Sequence, residues 1–183
     1  MRFLLVLLLL AAPAVAETCP KAADHSVRFA ELVEAVRAAP NEAAARVITN
    51  EMWALWADAP DGVAQEILDR GMQRRAGFDL VGALGDFDKL VQYCPDYAEG
   101  YNQRAYVHFI RQDYAKALVD LDRAIELSPT HIAALSGRAL TYFGLGRLRE
   151  ARADLELAVG LNPWLPERRM LRDPAMKGQQ SDL

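Results

Sequence analysis

Side chains that commonly bind metals or act as nucleophiles are scarce in this 183-residue sequence, which holds two cysteines and three histidines. His25, His108 and His131 lie far apart and show no metal-ligand spacing. Phosphate-binding loops, dinucleotide fingerprints and the G-x-S-x-G and H-E-x-x-H motifs are all missing. The sequence therefore predicts no catalytic site, no metal site and no cofactor, and we expect a protein that is not an enzyme.

Lysine is also scarce, since only four of the 21 basic residues are lysine, and 25 acidic residues give a net charge of −4. Binding to nucleic acid needs a basic face opposite the phosphates. The mildly acidic balance therefore argues against a nucleic-acid partner. The low lysine content together with abundant alanine favours a GC-rich bacterial genome as the source.

Long apolar runs are missing except at the N-terminus, where residues 1–16 read "MRFLLVLLLLAAPAVA". This run is too short to span a bilayer and ends with Ala14 and Ala16 at the positions that a signal peptidase recognises. We interpret it as a cleaved secretory signal, and the alternative is an uncleaved membrane anchor. The residues before Cys19 do not resemble a lipobox. We expect the mature protein in the periplasm, or secreted if the source is not Gram-negative, with no membrane span.

The two cysteines of the mature chain, Cys19 and Cys94, have two interpretations. In an oxidising compartment they can form a disulfide that ties the N-terminal tail, residues 17–23, to the end of a helix. Alternatively, Cys94 is a small buried apolar residue and Cys19 is a free thiol. Their spacing is not C-x-x-C, which argues against a redox-active pair.

Three segments of the chain end in the same way at a spacing of 34 residues: "FDKLVQYCP" at Pro95, "LDRAIELSP" at Pro129 and "LELAVGLNP" at Pro163. Aligning the prolines places small and bulky apolar residues in fixed columns. The small residues are Gly71, Ala105 and Ala139, then Ala83, Ala117 and Ala151, and the bulky ones are Phe87, Leu121 and Leu155. A fixed period with small residues in set columns is typical of stacked helical hairpins.

Each period predicts two helices of about a dozen residues, because its apolar residues recur at helical spacing. Turns with glycine or polar residues separate the two helices, at 76–79, 111–113 and 144–147. Small residues let two helix backbones approach closely, and each proline ends the second helix. The sequence thus predicts an all-α fold, an α-solenoid of stacked antiparallel helix hairpins.

These columns resemble the tetratricopeptide repeat (TPR) family and cover residues 64–97, 98–131 and 132–165 as three repeat units. Two columns depart from the family pattern. Arginine replaces the usual leucine at positions 70, 104 and 138, and Leu90 replaces the usual alanine. The resemblance implies a stacked array with a concave groove, which is lined by the first helix of each repeat.

The segments that flank the repeats fit the period poorly. Upstream, the pattern predicts two helices, at 25–39 and 42–58. We interpret residues 24–63 as a degenerate helical hairpin that caps the array. Downstream, residues 166–183 are predicted to form a short cap helix followed by a disordered tail.

Two charged columns run along the repeats. Carboxylates occur in pairs two residues apart, which are Asp86/Asp88, Asp120/Asp122 and Asp154/Glu156. Residues two apart on a helix point in different directions, so we predict a solvated face with local ion pairs such as Asp86–Lys89 and Asp120–Arg123. The arginines at 70, 104 and 138 have two interpretations. The favoured one pairs each head with a nearby acid, and the other is a basic stripe for an acidic ligand.

The resemblance places a set of mostly apolar and aromatic side chains in the concave groove: Gln65, Leu68, Met72, Arg75, Asn102, Tyr106, Phe109, Ser136, Leu140 and Phe143. One TPR subgroup grips the C-terminal carboxylate of chaperones with lysines and asparagines in these columns. Only Asn102 remains here, so that activity is not carried over. The groove suits an amphipathic helix or an extended peptide. Alternatively, the tail or a cap helix fills it or these residues are core, and Trp53 and Trp56 are expected in the core of the N-terminal hairpin.

The sequence therefore predicts a scaffold or adaptor of the bacterial envelope that binds a peptide or partner protein in its groove. Two alternatives stay open. One is a thiol or redox enzyme, or another envelope enzyme, that uses Cys19 and Cys94. The other is a structural protein that associates with itself.

Overall fold

The computed structural model describes residues 18–177, which form an all-helical array. Its helices are α1 (Ser26–Arg37), α2 (Glu42–Trp56), α3 (Gly62–Ala76), α4 (Leu80–Tyr93), α5 (Ala98–Ile110), α6 (Tyr114–Leu127), α7 (Ile132–Gly144), α8 (Leu148–Leu161), a 3₁₀ helix (Pro166–Arg172) and α9 (Pro174–Lys177). No strand occurs in this range, so the all-α prediction is confirmed. The expected signal, residues 1–16, lies outside the described residues. Within them, no helix combines the length and the hydropathy that a membrane span requires.

The three predicted hairpins are α3–α4, α5–α6 and α7–α8, which pack against one another in chain order. The small columns lie where the helices meet. A Cβ atom added to Gly71 would come within 2.5 Å of the Phe87 ring, and Ala105 and Ala139 are buried in the same column. The Phe87 ring occupies the space beside Gly71, so tight packing between the two helices explains the small residue there. The predicted solenoid of helical hairpins is confirmed.

The turn inside each hairpin uses one left-handed residue at the same place in the period. These residues are Phe78, Gln112 and Gly146, with φ values of 64°, 61° and 72°. Only the third repeat places glycine there, where the conformation carries no steric cost. The first two repeats accept that cost, so the packing of the hairpins determines the shape of the turn.

A ladder of arginine–aspartate pairs connects the helices of each hairpin. Arg138 Nε lies 2.6 Å from Asp154 Oδ2, and Arg104 and Arg70 make the matching bonds to Asp120 and Asp86. The favoured interpretation of the arginines therefore agrees with the structure. Hydrogen bonds to these aspartates raise the pKa of the Arg104 and Arg138 guanidinium groups.

The predicted solvated acidic face is wrong for half of its members. Asp86, Asp120 and Asp154 are buried, and their partners are arginines 16 residues earlier rather than neighbours at i+3. Arg123 pairs instead with Asp96 and Glu126. Two of the three exposed members bind the arginine of the next repeat, since Asp88 bonds Arg104 and Asp122 bonds Arg138. The third, Glu156, pairs with Arg152 on its own helix. The arginine that replaces the usual leucine thus links two consecutive repeats.

The N-terminal hairpin α1–α2, which was predicted to cap the array, packs against the last repeat. Its core residues share one apolar cluster with α7 and α8 of the last repeat: Phe29, Leu32, Val33, Val36, Ala45, Met52, Ile132, Leu135 and Ala158. Polar bonds fix the same position. Arg37 Nε donates to the Gly160 carbonyl oxygen at 2.9 Å, and Trp164 Nε1 donates to that of Val36 at 3.1 Å. Apolar match with the last repeat therefore decides where the hairpin lies.

Both ends of the described chain are attached to the array. Cys19 and Cys94 form a disulfide with a Cα–Cα distance of 5.1 Å, which joins the N-terminal tail to the end of α4. At the other end, Met176 of α9 is buried against Leu155 and Ala151 of α8. The predicted disordered tail is therefore wrong for residues 173–177, and its remainder, 178–183, lies outside the described residues.

Candidate functional site

A cavity of about 540 Å³ lies between α2, α5 and α7. Six of the predicted groove residues line it: Arg75, Asn102, Tyr106, Phe109, Ser136 and Leu140. They come from equivalent positions of the first helix in successive repeats, so stacking the hairpins brings them to one surface. The cavity has the size and the mostly apolar lining of a ligand site.

The other predicted groove residues lie outside this cavity. Leu68 is fully buried with Phe87 in the core of the first repeat, and Met72 packs against the same core. Phe143 is exposed near the end of α7 and does not line the cavity. Gln65 is bonded to the Ala59 amide and to Asp69. The first repeat therefore contributes Arg75 to the cavity, and the second and third repeats form its floor.

Helix α2 supplies a wall that the repeat pattern does not include. Trp53 and Trp56 both line the cavity, with their rings edge to face at 5.5 Å between centroids. Trp56 also stacks on the His131 ring at 4.4 Å, so it is part of the core as predicted, whereas Trp53 is 38% exposed. The signal available in the sequence was two tryptophans in a segment that fits no repeat column.

A buried polar network lies beneath the floor of the cavity. Glu99 is 1% exposed and accepts hydrogen bonds from Asn102 Nδ2 at 3.0 Å, from Gln103 Nε2 and from His131 Nε2 at 2.9 Å. His131 Nδ1 accepts a bond from the Ala134 amide, so its proton is on Nε2, facing Glu99. Three donors thus compensate the burial of this carboxylate.

Arg75 extends the network to the cavity surface. Its Nη1 donates to Gln103 Oε1 at 2.7 Å, and its guanidinium lies 4.6 Å from the centroid of the Tyr106 ring. Burial lowers the pKa of Arg75, although Tyr106 and Glu99 oppose this shift, and the group stays charged. Within residues 18–177 no carboxylate lies within 4 Å of Arg75. It therefore presents a positive charge and unused N–H donors to the cavity.

Two further polar groups in the cavity lack partners within the described chain. Ser136 is 8% exposed, and its Oγ atom is buried without a hydrogen bond. Glu167, on the 3₁₀ helix after the last repeat, makes no ion pair or hydrogen bond among residues 18–177. Arg75 lies in the last turn of α3 in the first repeat, so the unpaired charges of Arg75 and Glu167 come from opposite ends of the array.

The remaining candidates lie elsewhere. The guanidinium groups of Arg70, Arg104 and Arg138 pair with the aspartates of the ladder, and none of the three lines the cavity. The structure therefore does not support a basic stripe for an acidic ligand. Cys94 is buried in the core of the first repeat, and neither cysteine lines the cavity. The structure also brings no three potential metal ligands together within residues 18–177.

Comparison with protein families identifies the repeats. Models of the tetratricopeptide repeat match residues 98–131 and 132–163, which are the hairpins α5–α6 and α7–α8. Residues 98–163 are therefore tetratricopeptide repeats. The hairpin α3–α4 precedes the two matched segments and carries the same arginine–aspartate pair. No curated protein matches the sequence.

Solved TPR structures resemble this fold. The first TPR domain of the human RPAP3 protein has a TM-score of 0.60 at 24% identity, over 66% of this chain and 97% of that one. The TPR2B domain of yeast Sti1 in its pHsp70 complex has a TM-score of 0.57 at 20% identity, over 64% of this chain and 98% of that one. The MamA RS-1 ArsTM double mutant has 0.57 at 18% identity, over 88% of each chain. At these identities the likeness establishes the shared fold.

Proposed function

We propose that this TPR protein is a scaffold or adaptor that binds a peptide or a partner protein in the cavity between α2, α5 and α7, and that it acts by binding rather than by catalysis. One observation carries the proposal. The cavity presents exposed aromatic rings, with Tyr106 49% exposed, beside the unpaired groups of Arg75 and Ser136. Aromatic anchors next to unsatisfied polar groups are the features on which protein interfaces concentrate their affinity.

Similar structures support a role in peptide binding. The first TPR of Spaghetti (RPAP3) is bound to the HSP90 peptide SRMEEVD, and the second TPR domain of human RPAP3 is in complex with the HSP70 peptide SGPTIEEVD. The cavity described here is lined by the first helices of the hairpins α5–α6 and α7–α8. Its aromatic lining and its glutamate differ from the lysine and asparagine columns of chaperone-binding TPR domains. A peptide of another chemistry is therefore the expected ligand.

The location that we propose is the bacterial envelope, with the periplasm as the compartment. The apolar run of residues 1–16 and its small residues at 14 and 16 support export. The disulfide between Cys19 and Cys94 supports an oxidising compartment.

The proposal is tested by selecting random displayed peptides on the full mature chain with its disulfide intact. Affinities of the selected peptides are then measured by fluorescence anisotropy. Because Tyr106 and Phe109 form the aromatic floor, the double variant Tyr106→Ala/Phe109→Ala should weaken binding by about tenfold or more. Phe78→Ala is the matched control, since Phe78 is an exposed aromatic residue outside the cavity.

Equal affinity of the wild type and the double variant would contradict the assignment of the groove. Light scattering over a dilution series addresses self-association in the same samples. A mass that doubles on concentration, with the Tyr106→Ala/Phe109→Ala variant staying monomeric, would show that a second copy occupies the cavity.

A further inference from the structure

The cavity carries one uncompensated charge of each sign. Arg75 enters from the last turn of α3 in the first repeat, and Glu167 enters from the 3₁₀ helix that follows the third repeat. Neither has an oppositely charged partner within 4 Å in residues 18–177. Every other partly buried arginine in that range pairs with a carboxylate, as Arg104 does with Asp120 and Arg168 with Glu42. Arg75 is therefore an exception that the fold itself does not explain.

Glu99 does not serve as the carboxylate partner of Arg75. Its carboxylate receives bonds from His131, Asn102 and Gln103, and Gln103 stands between it and Arg75. Arg75 has five N–H donors and uses one of them on Gln103. Its stacking on Tyr106 fixes the guanidinium plane and leaves the remaining donors for an acceptor in the cavity.

The surface between the two charges is apolar, apart from one unsatisfied hydroxyl. Trp53, Tyr106, Phe109 and Leu140 provide aromatic and aliphatic contact. Ser136 Oγ is buried and has no partner, although buried hydroxyls are nearly always bonded. A ligand that seats an apolar group there and offers one polar atom to Ser136 would satisfy both features.

We infer that the cavity binds a peptide segment of mixed charge, in which an apolar or aromatic anchor lies between an acidic and a basic side chain. The carboxylate binds Arg75, the cation binds Glu167, and the anchor lies on the aromatic floor. This inference rests on the proposed function and names the chemistry of its ligand. It also excludes strongly acidic peptides, because Glu167 and the nearby Glu99 would repel a second carboxylate.

Four synthetic peptides test the charge pattern: Ac-EAFLAK-amide, Ac-KAFLAE-amide, Ac-EAFLAE-amide and Ac-KAFLAK-amide. Blocked ends remove the terminal charges, and the two mixed peptides allow either chain direction in the cavity. We expect one mixed peptide to bind the full mature chain about tenfold more tightly than both like-charged peptides. That ratio corresponds to about 1.4 kcal/mol.

Charge variants identify the residues responsible. Arg75→Gln should weaken the preferred mixed peptide about tenfold, and Arg75→Lys should keep the preference. Glu167→Lys should shift the preference to the all-acidic peptide. Arg46→Gln is the matched control, because Arg46 is exposed on α2 outside the cavity and should change nothing. Thermal midpoints of all variants show whether each one is folded.

Two different failures are distinguishable. If like-charged peptides bind as well as mixed ones, or if Glu167→Lys leaves the order of affinities unchanged, the inference is wrong while the groove remains a peptide site. If neither these peptides nor any peptide from the random selection binds in a manner sensitive to Tyr106→Ala/Phe109→Ala, the proposed function fails and the inference fails with it.

Discussion

The three repeats and the N-terminal hairpin are built by different rules. The same arginine–aspartate pair and the same set of small residues recur every 34 positions in the repeats. This recurrence fixes how successive hairpins stack. The hairpin α1–α2 follows no such period, yet it supplies Trp53 and Trp56 to the cavity. The regular part of the sequence therefore forms the scaffold, and the irregular part gives the site its individual shape.

The two regions meet along one column of the repeat. Tyr97, His131 and Leu165 each lie two residues after a repeat-ending proline. The Tyr97 hydroxyl donates to the Trp56 carbonyl oxygen at 2.6 Å, His131 stacks on the Trp56 ring, and Leu165 packs into the cluster that the hairpin shares with α7. A single hairpin thus contacts the end of each of the three repeats. Its docking is expected to restrict the curvature of the array and the width of the groove.

Removal of the disulfide should cause the largest loss of stability among these variants. The two cysteines are 75 residues apart in sequence, and the loop that they close contains the hairpin α1–α2 and both helices of the first repeat. By loop-closure entropy, Cys19→Ala/Cys94→Ala should reduce the free energy of unfolding by about 4 kcal/mol. Urea unfolding of the variant and of the oxidised wild type measures the difference.

The reduced wild type is the control for that experiment, since it keeps both cysteine side chains. A loss below about 1 kcal/mol in both samples would show that the tail holds its place without the bridge.

Loss of a buried carboxylate of the arginine–aspartate ladder should cause the second-largest loss of stability. Asp120→Ala removes a buried partner of Arg104, whose side chain is 20% exposed. We expect a loss of about 3 kcal/mol, at the low end for a broken buried pair because Arg104 still reaches solvent and Asp88. Asp122→Ala removes an exposed partner of Arg138 and should cost less than about 1 kcal/mol.

Chemical denaturation of the two variants compares the buried and the exposed member of one acidic column. Equal losses would mean that the ladder acts through long-range charge and not through buried hydrogen bonds.

The array was predictable because its information is periodic. Gly71, Ala105 and Ala139 recur at one spacing, and that spacing alone specifies stacked hairpins. The acidic side of the ladder was misassigned because Asp120 was paired with its i+3 neighbour, whereas its partner Arg104 lies across the hairpin on another helix. The position of α1–α2 could not be predicted, since it depends on apolar match with α7 and α8 and leaves no repeat in the sequence.

The groove was predictable where it follows the repeat columns, and not elsewhere. Asn102, Tyr106, Ser136 and Leu140 occupy equivalent columns and line the cavity as the resemblance implies. Leu68 occupies the same column as Asn102, but in the first repeat it turns into the core. Glu167 and Trp53 reach the cavity from segments outside the repeats, so only the three-dimensional packing reveals them.

The smallest expected effect is a change in the pH dependence of stability, and it comes from a residue that differs between the second and third repeats. His108 occupies the column that Tyr142 fills one repeat later, and its buried Nδ1 atom has no hydrogen bond. Burial lowers the pKa of His108, with Arg104 and Lys116 acting in the same direction and Asp120 and Asp113 opposing it. The folded state therefore prefers the neutral ring, whereas the unfolded chain takes up a proton below about pH 6.5. Stability should fall as the pH drops from about 7.5 to 5, by less than about 1 kcal/mol from this residue.

His108→Tyr transfers the residue of the third repeat to the second and should remove this part of the pH dependence. Urea unfolding at several pH values measures the slope for both proteins. Other groups that titrate in this range are unchanged by the substitution, so the difference between the slopes isolates His108. A variant with the wild-type slope would show that the ring keeps its ordinary pKa through Asp120 and Asp113, and that the two repeats differ in shape alone at this column.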